Sequence, residues 1–342
     1  MTTSFIRSLG LVFSLYFAGC FTVFSQTRSA PDFGDSITWS DKGESPSFSN
    51  LEGKSVLVVF FQSWCGICNG WSGDLFKELE EVYRDDSSVV VVALKTDGGT
   101  VADAEKYLSS RVDFSDWLVG VDEGGSYYQA LAETDALYHY TWVQPDGSIG
   151  ETAKAGTFFE EKGGGRRYTL VDSKTVARFR KGASPLFPQA DSWGEEVAPA
   201  IDAAEKGRFV TALKLASKVR TDGASQLKGA IAEKVDKTIT AFTSKVNDPN
   251  EEARYSVFLK LSNLSDSFGS SPQGKAAREV VNAQQRQPWI RDEKEAHKSY
   301  QSIMKRAARA DSEKDRERIQ KSLKKLAEKF PATYYGRLAG SN

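Results

Sequence analysis

Six consecutive apolar residues, Val56 to Phe61, lead within four residues to a cysteine at which the hydrophobic spacing changes. A run of this kind, rich in β-branched side chains and without polar alternation, predicts a strand covered on both faces. Beyond Cys65, the residues Ile67, Trp71, Leu75, Leu79 and Val82 fall on one stripe at helical spacing, with charged residues opposite. A buried strand therefore feeds directly into a helix. The alternation continues: Val89 to Leu94 reads as a second buried strand, Val101 to Leu108 as a short helix and Trp117 to Val121 as a third strand. Tyr140 to Val143 and Glu151 to Ala155, separated by Pro145-Asp146-Gly147, read as a hairpin with a turn signal. Strands alternating with helices predict an α/β unit, a central mixed sheet flanked by helices, with parallel pairing and an antiparallel hairpin at one edge.

That unit accounts for less than half of a 342-residue chain, and single cores stop growing near roughly 250 to 300 residues, so a second domain is expected. The triplet Gly163-Gly164-Gly165 and the prolines at 185, 188 and 199 mark a boundary zone, with an extra strand or hairpin expected around Tyr168 to Phe179. From Trp193 the composition shifts to Ala, Lys, Glu and Leu at helical spacing. The expected organisation is an export or anchor segment at 1–27, an α/β domain at 35–165, a linker at 166–192 and an all-helical repeat domain at 193–342. One helix start is explicit: Asp248 as cap, Pro249 at the first helical position and Glu251 completing a capping box. Leu261 to Ala277 (LSNLSDSFGSSPQGKAA) matches Leu323 to Ala339 (LKKLAEKFPATYYGRLA) in its Leu, Leu, Phe, Gly, basic and Ala positions, 62 residues later. A degenerate earlier unit begins near Glu205, the pattern of stacked helix pairs in a solenoid. Such a repeat surface is read as a place for a protein partner.

The amino terminus bears on the compartment. Between Arg7 and Arg28 there is no charged residue, and LGLVFSLYFAGCFTVF (Leu9 to Phe24) has the apolar character of a signal peptide or a single membrane anchor. Three outcomes stay open: cleavage after Ser25, lipidation at Cys20, or retention as an anchor. Each places the mature chain outside the cytoplasm, in the periplasm or membrane-attached in the cell envelope. The formal net charge of -1 gives no global footprint for nucleic acid. The locally basic stretch from Arg286 to Lys329 reads as a solvated helical face, and His297 as solvent-exposed.

With Cys20 in the export segment, only Cys65 and Cys68 remain for the folded protein. A cysteine at the end of a buried strand and the start of a helix lies near unpaired amides and the positive end of the helix dipole. That environment favours the thiolate and lowers the pKa from about 8.5 to roughly 3.5 to 7.5 in such motifs. Residues three apart on a helix share a face, so Cys68 can reach back to Cys65. Cys65 is thus the candidate nucleophile and Cys68 the resolving thiol. The other readings of the pair are half of a zinc site, for which no second Cys-x-x-Cys or His pair is present, and a structural disulfide.

The run VLVVFFQSWCGIC, preceded by SFSNLEGKS and followed by an amphipathic helix and a second apolar strand, resembles the thioredoxin superfamily, closest to exported TlpA-like members. The resemblance covers roughly residues 35 to 160, with QPDGSIGETAKAG similar to the closing hairpin. It implies a thiol-disulfide oxidoreductase acting on a protein or peptide disulfide, with an unidentified electron donor or acceptor and no cofactor. It also implies that Trp64 stands beside the reactive sulfur and that Gly66 permits close approach of a substrate chain. The chain departs from the family at three places. Ile67 replaces the Pro common inside the motif, and Val59 stands where thioredoxins proper have a buried acid. No proline occurs between Pro46 and Pro145, so Tyr138 or His139 takes the place of the family's cis proline. If His139 faces Cys65 and Cys68, the three form a soft ligand set suited to copper(I). The other readings of His139 are a role in tuning the thiolate and simple packing against the sheet. A rival from a different class is a helical-repeat scaffold carrying a redox-inactive thioredoxin-like module.

Overall fold

The computed structural model describes residues 28–33, 37–40, 46–132, 139–154, 159–162, 165–307 and 312–341. The apolar amino-terminal segment, with Cys20, and Tyr138 lie outside the described residues. Among the described residues no helix is long and apolar enough to cross a membrane.

The first half of the chain runs β1 (Ile37–Trp39), β2 (Ser55–Phe61), α1 (Gly66–Tyr83), β3 (Val89–Lys95), α2 (Val101–Ser109), β4 (Leu118–Asp122), α3 (Ser126–Ala132), β5 (His139–Val143) and β6 (Ile149–Lys154). The six strands form one sheet in the order β1-β4-β3-β2-β5-β6. β2 pairs parallel with β3 and β3 parallel with β4, whereas β5 runs antiparallel to β2 and β6 antiparallel to β5. This is the thioredoxin-like arrangement that the sequence leads one to expect. Every residue of β2 and of β3 is buried, because both faces are covered. Leu57, Val59 and Phe61 pack against Leu75, Phe76 and Leu79 of α1; Val56, Val58 and Phe60 pack with Phe33, Phe48, Tyr127 and Tyr128 on the opposite face. Each such side chain contributes about 1.5 to 3 kcal/mol on burial, so the alternation of faces along β2 fixes its register as well as its depth.

After the short hairpin β7 (Phe159–Lys162) and β8 (Gly165–Tyr168), the region expected to form a strand is instead helix α4 (Ser173–Arg180). Its cap explains the difference: the Lys174 N–H donates to Asp172 Oδ2 at 3.1 Å, and Val176 and Phe179, three apart, both become buried. Phe179 stacks on Trp142 with ring centroids 4.1 Å apart, which ties this helix to the sheet. Phe187 and Trp193, further on, belong to the core of the helical region.

That region comprises α5 (Ala198–Glu205), α6 (Phe209–Ala216), α7 (Asp222–Ser244), α8 (Glu251–Phe268), α9 (Pro272–Gln285), α10 (Pro288–Ala307), α11 (Glu313–Lys329) and α12 (Tyr334–Ser341). α8 starts two residues later than the sequence suggested. Asn250 is the cap, its Oδ1 accepting the Ala253 N–H at 3.1 Å, while Asp248 accepts the Asn250 N–H in the preceding turn. The 62-residue repeat is visible in the packing: Leu261, Leu264 and Phe268 of α8 are buried, as are Leu323, Leu326 and Phe330 at the equivalent positions. The turn after each is the same device. Ser271 accepts the Gly274 N–H and Thr333 accepts the Gly336 N–H, and a Cβ at either glycine would drive into the preceding backbone, 2.5 Å from Gly269 O or 1.9 Å from Phe330 O. His297 is not solvent-exposed as expected but half-buried, stacked on Tyr335 at 4.1 Å and edge-on to Tyr255.

The two halves meet at the segment that leads into β2. Asn50 donates to Gly207 O at 2.9 Å, and Lys54, immediately before β2, pairs with Glu205 at the end of α5 at 2.5 Å. Burial pulls the Lys54 ammonium below the ordinary lysine range, and the Glu205 carboxylate works against that shift. Glu205 also accepts the Leu186 and Phe187 N–H groups at 2.9 and 2.8 Å.

Candidate redox site

The end of β2 carries the chain to the carboxyl edge of the parallel strands, where Gln62, Ser63 and Trp64 form a short loop and Cys65 caps α1. The Cys65 carbonyl accepts the Asn69 N–H at 2.9 Å, the first bond of the helix. Cys65 is buried and disulfide-bonded. Cys68 lies in the first turn of α1, and its side chain, like that of Ile67, lies outside the described ones.

Trp64 is 64% exposed and is the exposed large hydrophobic side chain among the described residues. A side chain added at Gly66 would meet no atom within 4 Å, so the surface beside the cysteine is open. Val59 is fully buried between α1 and the sheet, and it offers no acid beneath the motif.

A set of polar residues that the sequence did not single out holds the loop. The Ser63 N–H and Oγ both donate to Asp97 Oδ2, at 3.0 and 2.7 Å. The Ser63 carbonyl accepts from Asn69 Nδ2 at 3.1 Å, and Asn69 Oδ1 in turn accepts the Tyr107 hydroxyl. Asp97 pairs with Lys95 at 2.6 Å, and both side chains are less than a tenth exposed. Tyr107 is fixed by stacking on Phe61 at 5.2 Å and by the Arg111 guanidinium 3.7 Å above its ring.

His139 is the first residue of β5. It is paired in register with Phe60, so the two side chains share a face, and its ring packs against Phe60 and Tyr128. Cys65 belongs to the cluster of Leu57, Val59 and Phe61 on the other face. Trp64, Cys65 and Gly66 stand together at the start of α1, and the ring contacts described for His139 are those with Phe60 and Tyr128. A cleft of about 480 Å³ between the two halves, lined by Asp86, Asp116, Asp202 and Lys206 among others, is not lined by any residue of the cysteine motif.

No protein-family model matches the chain, and no curated protein matches it. Among solved structures it is similar to a thiol:disulfide interchange protein of the thioredoxin family from Chlorobium tepidum, at 14% identity over 46% of this chain and 98% of that one, with a TM-score of 0.34. It is similar also to a secreted disulfide oxidoreductase of Mycobacterium tuberculosis, at 15% identity over 38% and 87% with a TM-score of 0.29. A third is the exposed lipoprotein thioredoxin of Streptococcus pneumoniae, at 19% over 40% and 89%, TM-score 0.29. The fold assignment rests on the strand order and register described above rather than on these likenesses.

Proposed function

We propose that the chain is an envelope-located thiol-disulfide oxidoreductase in which Cys65 and Cys68 form the redox pair. The observation that carries this reading is the place of Cys65: a disulfide-bonded cysteine capping an 18-residue helix, beside an exposed Trp64 and an unobstructed Gly66. The helix dipole stabilises a thiolate at that end. In the reductive direction the Cys65 thiolate attacks one sulfur of a protein or peptide disulfide, and the other sulfur leaves as a thiolate. A mixed disulfide on Cys65 results. The Cys68 thiolate then attacks Cys65 Sγ, the second substrate sulfur leaves, and the Cys65–Cys68 disulfide forms as two electrons pass to the substrate. The leaving thiolates take up protons from water or the attacking thiols, and a dithiol donor resets the pair; the oxidative direction is the same sequence reversed.

The export-like segment from Leu9 to Phe24 supports the envelope location, and the repeated helix pairs support a protein partner on the helical half. With Cys68→Ser, resolution is blocked, so the reduced variant should accumulate a mixed disulfide on Cys65 when offered a disulfide-containing peptide. Absence of any adduct, with the wild-type pair inert to reductant, favours the scaffold reading instead.

A further inference from the structure

In the loop that presents Trp64 and Cys65, Cys65 packs with Leu57, Val59 and Phe61 while Trp64 does not join that core. Trp64, at its centre, is largely in solvent, so its backbone has to be held by hydrogen bonds on either side. Ser63 supplies them on the upstream side, with its N–H, its hydroxyl and its carbonyl all engaged: the first two by one carboxylate oxygen of Asp97, the third by Asn69. Asn69 supplies the downstream side through its own N–H to the Cys65 carbonyl. Trp64 is therefore spanned by two anchors, Asp97 from two residues beyond β3 and Asn69 from α1. Asp97 is itself fixed by Lys95, which lies in register with Phe61 and is buried with it. An ion pair taken out of water is costly and poor evidence of a stabilising role. Here the carboxylate of that pair is aimed at the backbone two residues before the cysteine.

We propose that Asp97 and Asn69 are positioning residues that keep Cys65 at the amino end of α1 when its disulfide is open. This rests on the reading of Cys65 and Cys68 as a redox pair. In the oxidised protein the covalent bond adds to what holds the sulfur; in the reduced protein the position of Cys65 depends on its packing with Leu57, Val59 and Phe61 and on these anchors. Their effect is expected in the reduced state, on thiolate formation and on the rate at which the disulfide recloses.

The sign of the effect separates positioning from charge. Among the described residues, the titratable groups around the loop include Lys95 at the end of β3, Asp97 two residues beyond it, and Asp103, Tyr107 and Arg111 on or just beyond α2. Removing the Asp97 charge leaves Lys95 balanced only by the more distant Asp103, which by Coulomb interaction alone favours the Cys65 thiolate. Loss of position does the opposite, since Cys65 leaves the helix terminus and returns toward a free thiol at about 8.5.

The experiment uses the full chain and follows Cys65 alkylation by iodoacetamide across pH, together with equilibrium against glutathione, for the wild type, Asp97→Asn, Asn69→Ala and Ser63→Ala. For Asn69→Ala and Asp97→Asn the expected result is a midpoint raised by about one unit and alkylation at neutral pH slowed about tenfold. Ser63→Ala keeps the backbone bond to Asp97 and should show a smaller change in the same direction; it also serves where Asp97→Asn does not fold. Unchanged midpoints and potentials in variants that fold overturn the proposal, as does a midpoint that falls. A wild type whose cysteines do not cycle with glutathione overturns both this proposal and the redox reading. A wild type that cycles, with variants indistinguishable from it, overturns the positioning role alone.

Discussion

The two halves of the molecule bury polar groups for different ends. In the sheet half, Lys95 and Asp97 pair at the edge where the chain emerges, and Asp97 accepts the backbone N–H and the hydroxyl of Ser63 in the loop before Cys65. In the helical half, Glu293 is buried, and its two oxygens accept the Tyr334 and Tyr335 N–H groups and close α12 onto α10. Thr333 does the same for its own turn. Of these two clusters, one directs its polarity at the loop before Cys65 and the other at a helix end, where four amides have no partner within the helix. Chemistry is therefore expected from the sheet half, and construction from the helical half. Between them stands the Lys54–Glu205 pair, which belongs to both.

Glu205→Ala gives the largest expected effect on stability, because it strands a buried ammonium and also removes the acceptor for Leu186 and Phe187. Breaking a buried pair from one side costs about 3 to 5 kcal/mol, and the upper end applies here. Since Lys54 leads directly into β2, chemical denaturation followed separately by sheet and helix probes should show both halves weakened together. A drop confined to the helical probe means that the pair does not couple the halves. Phe330→Ala should act on one side only. Its side chain lies in a cluster with Leu323, Leu326 and Ile303, separate from the larger helical core and from the clusters of the sheet. The expected loss is about 3 kcal/mol, at the low end for a buried Phe. Limited proteolysis should open the helical half while Cys65 remains as reactive as in the wild type. Loss of that reactivity instead makes the halves a single cooperative unit.

The smallest effect is a pH dependence. Burial raises the Glu293 pKa above its ordinary value, against the pull of the two amides it accepts. The native state then binds more protons than the unfolded one between the ordinary and the raised value, so this group's contribution is full below the ordinary value and is lost as pH rises through the raised one. Relative to Glu293→Gln, the wild type should gain stability as pH falls through that window, measured by urea denaturation at matched pH. A difference that stays constant with pH removes burial as the dominant influence on Glu293.

Much of the sheet half was legible because its signals are local. The apolar runs of β2 and β3 and the change of period after Cys65 report burial on two faces and on one, and both properties survive in the fold. The 62-residue repeat was legible for the same reason, each Leu-Leu-Phe stripe needing a neighbour to cover it. Helix α4 was missed because Thr, Val and Arg at short intervals imitate a strand, and the deciding features are a cap at Asp172 and the distant Trp142. The start of α8 was placed two residues early because Asp248 and Asn250 are both competent caps, and only the turn geometry chooses between them. The loop anchors were illegible for a deeper reason. Lys95-Thr96-Asp97 after a strand looks like a solvated turn, and nothing nearby in sequence shows that Ser63, 34 residues earlier, is the partner.

The central claim is that fold and helix placement make Cys65 a reactive thiol, and its most direct measurement is differential alkylation of the fully reduced chain, resolved by peptide mass at each pH. Cys65 is expected to react well before Cys68, with a midpoint below the value of about 8.5 for a free thiol. Equal rates at the two cysteines, or a Cys65 midpoint at the free-thiol value, would contradict it.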